Sequence, residues 1–468
     1  MSTRSAAEST TDASRRKQSF LVATLVFIGL VVAVVGSLGA PLITAVSTDY
    51  GVSLAAAQWT LTIALLSGAV TTPVVGRLGS GPHRRAVVIT SLSIVAAGSA
   101  LTALPVPFPV LLVGRAMQGV GLGLTALMMA TARDHLPEER SAATIGLLSV
   151  ASTAGIGVGY PLAGILTDWW GPRAAYALGL AVTVAALVAA VRAMPFAPPR
   201  PTSKVDLRGA LLLGAALLAL LTVISETDLW RRHAGLAACV LVVSLLLLAG
   251  WAVLELRIDH PIVDVRALRH PAVAAANLAM LIGGVAMYLL LSLITRFVQT
   301  PAATGYGFGL STFQAGLVLV PFSVLGFVAG KFMPMLQRRF GPRALLAAST
   351  GVILVAFVTF AIARDHLAEP VVAISVLGFG VGAFSAAMPA VILAATPKAE
   401  TASAMGVNQV VRSVGFSIGS ALGGLILAAW TSEVFPSETG YTVAAWVGAG
   451  ITAVTLLIVL AHRPTSDR

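Results

Sequence analysis

The sequence predicts an all-α membrane protein with fourteen transmembrane helices, and three observations support this fold class. Hydrophobic residues make up 57% of the 468 residues and charged residues only 10%, so a soluble fold could not cover its apolar surface. Fourteen apolar segments are long enough to cross a bilayer core, which needs ~20 residues. Basic residues concentrate in alternate loops, as they do in multi-pass membrane proteins.

The apolar segments are predicted to be helices rather than barrel strands, because they exceed strand length and lack two-residue alternation. The first segment is also longer than the ~7–15-residue core of a signal peptide, so we expect it to be retained as a helix. The predicted helices cover 19–44, 56–77, 85–104, 108–132, 142–166, 173–193, 207–225, 233–255, 272–298, 311–335, 343–363, 370–396, 402–430 and 441–461.

Loop charges orient these helices. If the amino terminus is inside, most arginines and lysines fall in cytoplasmic loops, and the external loops hold only Arg173, Arg231, Arg232 and Arg364. This asymmetry follows the positive-inside rule and predicts that both termini are cytoplasmic. The net charge of +11 then reflects topology, and we expect no nucleic-acid partner.

Two linker-like stretches divide the chain. Residues 195–201 contain four prolines and cannot be helical, and residues 257–270 are charged and polar. The predicted organisation is a disordered cytoplasmic tail at 1–18, a six-helix half at 19–193, a linker with helices 7 and 8 at 194–271, a second six-helix half at 272–462, and a cytoplasmic tail at 463–468.

An internal repeat supports this division into two halves. The offset of 260 residues spans eight helices, an even number, so the two copies share one orientation in the membrane. Parallel halves are typical of a rocking transporter with its binding site between them near the midplane. Pro137, Gly146, Gly155, Gly159 and Gly164 map onto Pro397, Gly406, Gly415, Gly419 and Gly424, and Gly119-x-Gly121-x-Gly123 is matched, one residue out of step, by Gly378-x-Gly380-x-Gly382.

Four local motifs resemble those of a known family. A glycine-containing basic loop follows helix 2, helix 4 carries an Arg-x-x-Gln-Gly pattern, and helix 5 carries closely spaced glycines around a proline. Helix 1 also contains a proline. The residues are Gly76, Arg77, Arg84 and Arg85; Arg115, Gln118 and Gly119; Gly155, Gly159, Tyr160, Pro161 and Gly164; and Pro41. Over residues 19–461 the chain resembles the major facilitator superfamily, and most closely its fourteen-helix branch of drug:proton antiporters.

The resemblance implies a role for each motif. The basic loop would latch the two halves on the cytoplasmic side, although the Asp that the family usually has near Ser80 is missing. The helix 4 motif would act in coupling or in the electrostatics of the substrate site, and the helix 5 motif would form a conformational hinge. A structural alternative remains open for each motif. The basic loop would then be a topology signal, the helix 4 arginine would satisfy backbone carbonyls, and the helix 5 glycines would allow close helix packing.

Three arginines lie within apolar segments: Arg115, Arg296 and Arg412. An arginine in lipid costs at least ~2.5–3.5 kcal/mol, so these side chains are expected to face protein or water. Arg412 lies about ten residues, or ~15 Å, into its helix, close to the midplane. We expect it to line a central cavity, and we assign Asn408, Gln409 and Tyr160 to the same substrate or coupling site.

All 19 acidic residues fall in loops, tails or segment ends. Related antiporters commonly carry Leu-Asp-x-Thr in helix 1, where this chain has Val32 and Val34. Since arginine stays protonated, it cannot replace the missing proton carrier. The protein could lack a proton site, the substrate could carry the titrating group, or protons could couple through Asp134, Asp168, Glu226 or Glu255. The same inventory favours neutral or anionic amphipathic substrates over permanent cations.

The predicted function is export of small amphipathic compounds across a bacterial cytoplasmic membrane by alternating access, with proton coupling implied by the resemblance. The alternatives are uncoupled or exchange transport, import of an organic anion, and a non-transporting membrane sensor. We expect a monomer in the lipid bilayer, with no cofactor, metal or catalytic residues, because no suitable cluster of side chains is present. The single cysteine, Cys239, is expected to be a small buried side chain.

Overall fold

The structure, a computed structural model, describes residues 2–38, 42–52, 54–79, 81–196, 206–225, 227–258, 261, 265–266, 271–394, 396, 401–431 and 435–461. Helices account for nearly all of these residues, which form no β-sheet, and the predicted all-α fold class is confirmed. The α-helices are α1 Ser2–Ser37, α2 Ile43–Tyr50, α3 Leu54–Gly79, α4 Arg84–Ala103, α5 Phe108–Gly119, α6 Leu124–His135, α7 Glu138–Trp170, α8 Pro172–Ala193, α9 Leu207–Ser225, α10 Thr227–Arg232, α11 Ala234–Arg257, α12 Pro271–Gln299, α13 Thr312–Val318, α14 Val320–Phe340, α15 Pro342–Ile362, α16 Ala368–Ala394, α17 Thr401–Ala429 and α18 Glu438–Ala461.

Twelve helices in this described part are long and apolar enough to cross a membrane. The sequence predicts two further spans, at 142–166 and 207–225. The structure has helices at both places: α7 is 33 residues long, and α9 contains a shorter apolar stretch at Arg208–Ile224. The count of fourteen spans stays a prediction.

Several helix boundaries differ from the prediction. The predicted helix at 311–335 divides at Leu319 into α13 and α14, where Pro321 occupies the first turn of α14 and supplies no N–H donor. Helix α1 begins at Ser2, so most of the tail predicted to be disordered is helical. No glycine or proline precedes Gly29 to stop the helix from extending backwards.

The two halves, α1–α8 and α12–α18, pack their helices in corresponding pairs. A Cβ atom on Gly119 of α5 would lie 2.2 Å from the Ala64 carbonyl oxygen of α3. A Cβ atom on Gly378 of α16 would lie 2.1 Å from the Phe322 carbonyl oxygen of α14. The repeated glycines of the sequence therefore mark equivalent close contacts between helix backbones.

Helices α9–α11 lie outside the two halves. Helix α9 packs on α3 and α17 together, through Leu213, Leu217 and Leu221, and so contacts both halves. Helix α11 packs mainly on α9 and is the least buried of the long helices. Cys239 of α11 is consequently exposed, which corrects the expectation that it is buried.

The close contact at Gly382 generates a stability prediction. A Cβ atom there would lie 2.1 Å from the backbone oxygen of Gly326, so Gly382→Ala should lower the free energy of unfolding by about 1–3 kcal/mol. The matched control is Gly351→Ala in α15, where nothing lies within 4 Å of the added carbon. Thermal unfolding of the detergent-solubilised protein should show a lower midpoint for the first variant only. Equal midpoints would contradict the packing described.

Candidate functional site

The two halves meet along two seams, one between α3 and α17 and one between α7 and α13–α14. A Cβ atom on Gly316 of α13 would lie 3.1 Å from the backbone nitrogen of Pro161 in α7. Further along the same seam, a Cβ atom on Gly330 of α14 would lie 2.1 Å from the Val150 side chain. The proline of the predicted hinge therefore lies directly at the contact between the halves.

The other residues of the predicted hinge are buried in α7. Gly155 packs on α1, where an added Cβ atom would lie 2.4 Å from the Ala33 side chain. Gly159 and Gly164 are buried in the same helix, which continues through Pro161. The contact of Gly155 is one of helix packing, and the role of these residues as a hinge stays a prediction.

Four side chains form a cluster between the halves, which we call the central cluster: Tyr160 of α7, Tyr288 of α12, and Arg412 and Phe416 of α17. Tyr160 and Tyr288 belong to different halves and lie within electrostatic reach of each other. The Tyr288 ring stacks on Phe416, with ring centroids 5.2 Å apart and planes inclined by 29°. The Arg412 guanidinium lies over the Phe416 ring, 5.5 Å from its centroid.

The structure brings only part of the predicted substrate site into the central cluster. Asn408 donates a hydrogen bond of 3.3 Å to Asn277 of α12, within the second half. Gln409 is buried one residue further along α17. Arg296 has an exposed side chain in the last turn of α12. Sequence reasoning missed both Tyr288 and Phe416; the signal for Phe416 was its position one helical turn after Arg412.

Arg115 lies in a polar network inside the first half. Its guanidinium donates to the backbone oxygens of Thr60 and Val35 at 2.9 and 3.3 Å, and to the Gln118 side chain at 2.5 Å. The Gln118 amide donates in turn to Ser99 and Thr102 of α4, at 3.1 Å each. Arg115 thereby connects α1, α3 and α5. These contacts match the structural alternative given above, in which the arginine satisfies backbone carbonyls.

One end of the bundle, which we call the basic face, carries Arg84, Arg85 and Arg133. Arg84 forms a buried ion pair of 2.6 Å with Asp134 at the end of α6. Arg85 donates at 2.7 Å to the Val191 backbone oxygen. Both of these contacts lie within the first half. Gly76 and Arg77 lie nearby in the last turn of α3, and Ser80 lies outside the described residues.

Arg133 joins the two halves at the basic face. It donates to the Thr401 hydroxyl at 2.6 Å and to the backbone oxygens of Leu393 and Thr396 at 3.4 and 3.3 Å. Sequence reasoning counted Arg133 only as a loop charge and missed this contact. Beside it a cavity of 340 Å³ lies between α7, α14 and α16, with Glu138, Ser141 and Gln337 in its lining.

Among the described residues, no three His, Cys, Asp or Glu side chains converge as metal ligands. Asp134 is engaged with Arg84, Asp168 is exposed at the far end of α7, and Glu255 is buried at the end of α11. Glu226, also proposed for proton coupling, lies outside the described residues.

Comparison with known proteins identifies the family. The sequence model of the Major Facilitator Superfamily matches residues 25–365 and 289–468. The chain belongs to the major facilitator superfamily. It is therefore a membrane transporter of this superfamily, which confirms the resemblance predicted from the sequence motifs.

Several facilitator proteins resemble the chain over most of its length. The uncharacterized MFS-type transporter YvkA of Bacillus subtilis is 24% identical over 88% of this chain and 91% of its own. The drug efflux pump JefA of Mycobacterium tuberculosis is 26% identical, over 77% of this chain and 70% of its own. The tetracenomycin C resistance and export protein of Streptomyces glaucescens is 26% identical, over 84% and 73%.

A solved structure shares the fold. The human organic anion transporter MFSD10 superposes with a TM-score of 0.65 at 16% identity, covering 94% of this chain and 99% of its own. At this identity the likeness concerns the fold alone. It agrees with the two packed halves of this facilitator.

The Arg133 contact generates a prediction about opening at the basic face. Arg133→Gln removes charged hydrogen bonds worth about 1.5–3 kcal/mol each, so the halves should separate there at least tenfold more often. The measurement is labelling of a Ser141→Cys probe in the cavity by a water-soluble maleimide, in a Cys239→Ser background. Arg140→Gln is the control, since Arg140 is exposed and bonds only to Gln18 of its own half at 3.1 Å among the described contacts. Equal labelling rates in both variants would contradict the assignment.

Proposed function

We propose that this facilitator exports small amphipathic compounds, neutral or anionic, across the bacterial cytoplasmic membrane by alternating access. The observation that carries the proposal is the central cluster, in which a cation and aromatic rings lie where the two halves meet. Compounds with both apolar and anionic parts complement such a surface. Two of the relatives bear names that describe drug efflux or tetracenomycin C resistance and export, which supports the direction proposed.

The proposed cycle uses the two seams described above. With Arg133 engaged, the basic face is closed, and release of its hydrogen bonds would admit a compound from that side. The positive-inside rule supports assigning the basic face to the cytoplasm, together with both termini. The chain would work as a monomer, since each chain carries both halves of the site.

Proton coupling is the part of the proposal that rests on family resemblance. No acidic residue lies in the middle of an apolar segment, so exported compounds would exchange with protons through the segment ends or through their own titrating groups. The absence of acidic residues from the middle of the apolar segments also favours a second candidate function, uncoupled or exchange transport of an organic anion. In that case the central cluster would be the whole of the transport site.

A pH dye inside proteoliposomes distinguishes these two functions. Antiport requires proton movement that follows addition of a transported compound and is absent from protein-free vesicles. Substrate movement without proton movement would exclude antiport and support the exchange function. Mutation of Asp168 to Asn is the first variant to compare if protons move, because that carboxyl group is exposed.

The charge of Arg412 generates a prediction about substrate preference. Arg412→Gln should slow transport of an anionic amphiphile about tenfold or more, because a charged hydrogen bond is worth about 1.5–3 kcal/mol. Transport of the matched neutral amide should fall much less. Arg173→Gln is the control, because Arg173 pairs with Asp49 at an exposed position, 3.4 Å away. Equal loss for the anion and the amide would count against a cationic substrate site.

A further inference from the structure

We infer that the central cluster selects planar aromatic acids, compounds in which a flat ring system carries an ionised acidic group directly. This inference rests on the proposed function and narrows its substrate class. It is drawn from the arrangement of Tyr288, Phe416 and Arg412, which presents two stacked rings and a cation on one surface.

The two rings form a platform with a defined orientation. Tyr288 and Phe416 are nearly parallel, with centroids 5.2 Å apart, the offset geometry that aromatic rings prefer. Both rings are partly exposed rather than fully enclosed in the protein core. A further flat ring can therefore extend the stack, whereas a saturated ring of the same size cannot adopt the same close contact.

The cation lies beside the ring pair, over the face of Phe416. The Arg412 guanidinium is 5.5 Å from the Phe416 centroid, so the acidic group of a ring that packs beside this pair would have arginine donors close to it. The Tyr160 and Tyr288 hydroxyls add donors without charge. Since no acidic residue lies within these apolar segments, no carboxylate would offset the repulsion between Arg412 and a permanently cationic ring.

The backbone around the platform holds it in position. A Cβ atom on Gly284 of α12 would lie 3.3 Å from the Arg412 backbone oxygen and 3.5 Å from the Phe416 ring. A Cβ atom on Gly415 would lie 2.5 Å from the Leu281 backbone oxygen. Helices α12 and α17 thus approach closely, and the rings need little ordering when a ligand binds. Tyr160 comes from the other half, so a bound ring would also contact the seam.

The experiment is calorimetric titration of the purified full-length protein with four probes of one size. These are naphthalene-2-carboxylate, its decahydro analogue, naphthalene-2-carboxamide and a naphthylmethyl ammonium ion. We expect the aromatic acid to bind at least tenfold tighter than the saturated acid and the amide, and the cation not to bind. Equal affinities for the aromatic and saturated acids, or no binding of the aromatic acid, would overturn the inference.

Variants assign each preference to its residue. Phe416→Leu should remove the preference for the aromatic over the saturated acid, and Phe416→Tyr should retain it. Arg412→Gln should remove the preference for the acid over the amide. The control is Phe196→Leu, which removes an exposed ring that lies 4.7 Å from the Arg85 guanidinium, outside the central cluster. Loss of both preferences in the control variant would count against the inference.

Failure of this inference is distinguishable from failure of the proposed function. If vesicles expel amphiphiles but the two acids bind equally, export stands and aromatic selection is wrong. If the aromatic acid binds selectively but no compound moves in vesicles, the site stands and the proposed export is wrong. Each variant is accepted only if its unfolding midpoint matches that of the unchanged protein, and Phe416→Tyr supplies the folded comparison if Phe416→Leu unfolds.

Discussion

An arginine in the apolar part of a membrane must find its partners within the protein, because lipid offers none. This constraint governs the arrangement of the molecule more than any single motif. Arg115 meets it with two backbone oxygens and the Gln118 amide. Arg412 lies over an aromatic ring at the junction of the halves. The first solution connects three helices of one half, and the second places a cation at the junction of the halves.

The same constraint explains how the basic face is organised. Arg84 is neutralised by Asp134 within the first half, at the end of α6. Arg133, which directly precedes Asp134 in the sequence, donates instead to α16 and α17 in the second half. The end of α6 therefore forms an ion pair within the first half through Asp134 and contacts the second half through Arg133. The halves can separate there by giving up hydrogen bonds, without exposing an unpaired carboxylate to lipid.

Sequence reasoning predicted the helices, the fold class and the family because these depend on composition and local periodicity. It predicted that Arg115 faces inward but could not choose between structure and coupling, since its partners lie 55 and 80 residues away. Pro321 alone did not predict the break at Leu319. Proline is favoured in the first turn of a helix, but its presence does not by itself show that a new helix begins there.

The contacts of Arg133 and the stacking of Tyr288 on Phe416 depend on tertiary approach, for which a single sequence carries no signal. Exposure of Cys239 was missed for a similar reason. An apolar residue in a membrane span can face either lipid or protein, and only the packing of α11 on α9 decides between them.

The central claim is that the site contains a fixed cation and no titrating carboxylate. The most direct test is the affinity of the purified protein for naphthalene-2-sulfonate between about pH 5.5 and 8.5, a range in which the ligand and arginine both stay ionised. The account predicts an affinity that changes by less than about twofold across this range. Tightening by about tenfold for each unit of falling pH would contradict it, because a protein group would then be taking up a proton as the anion binds.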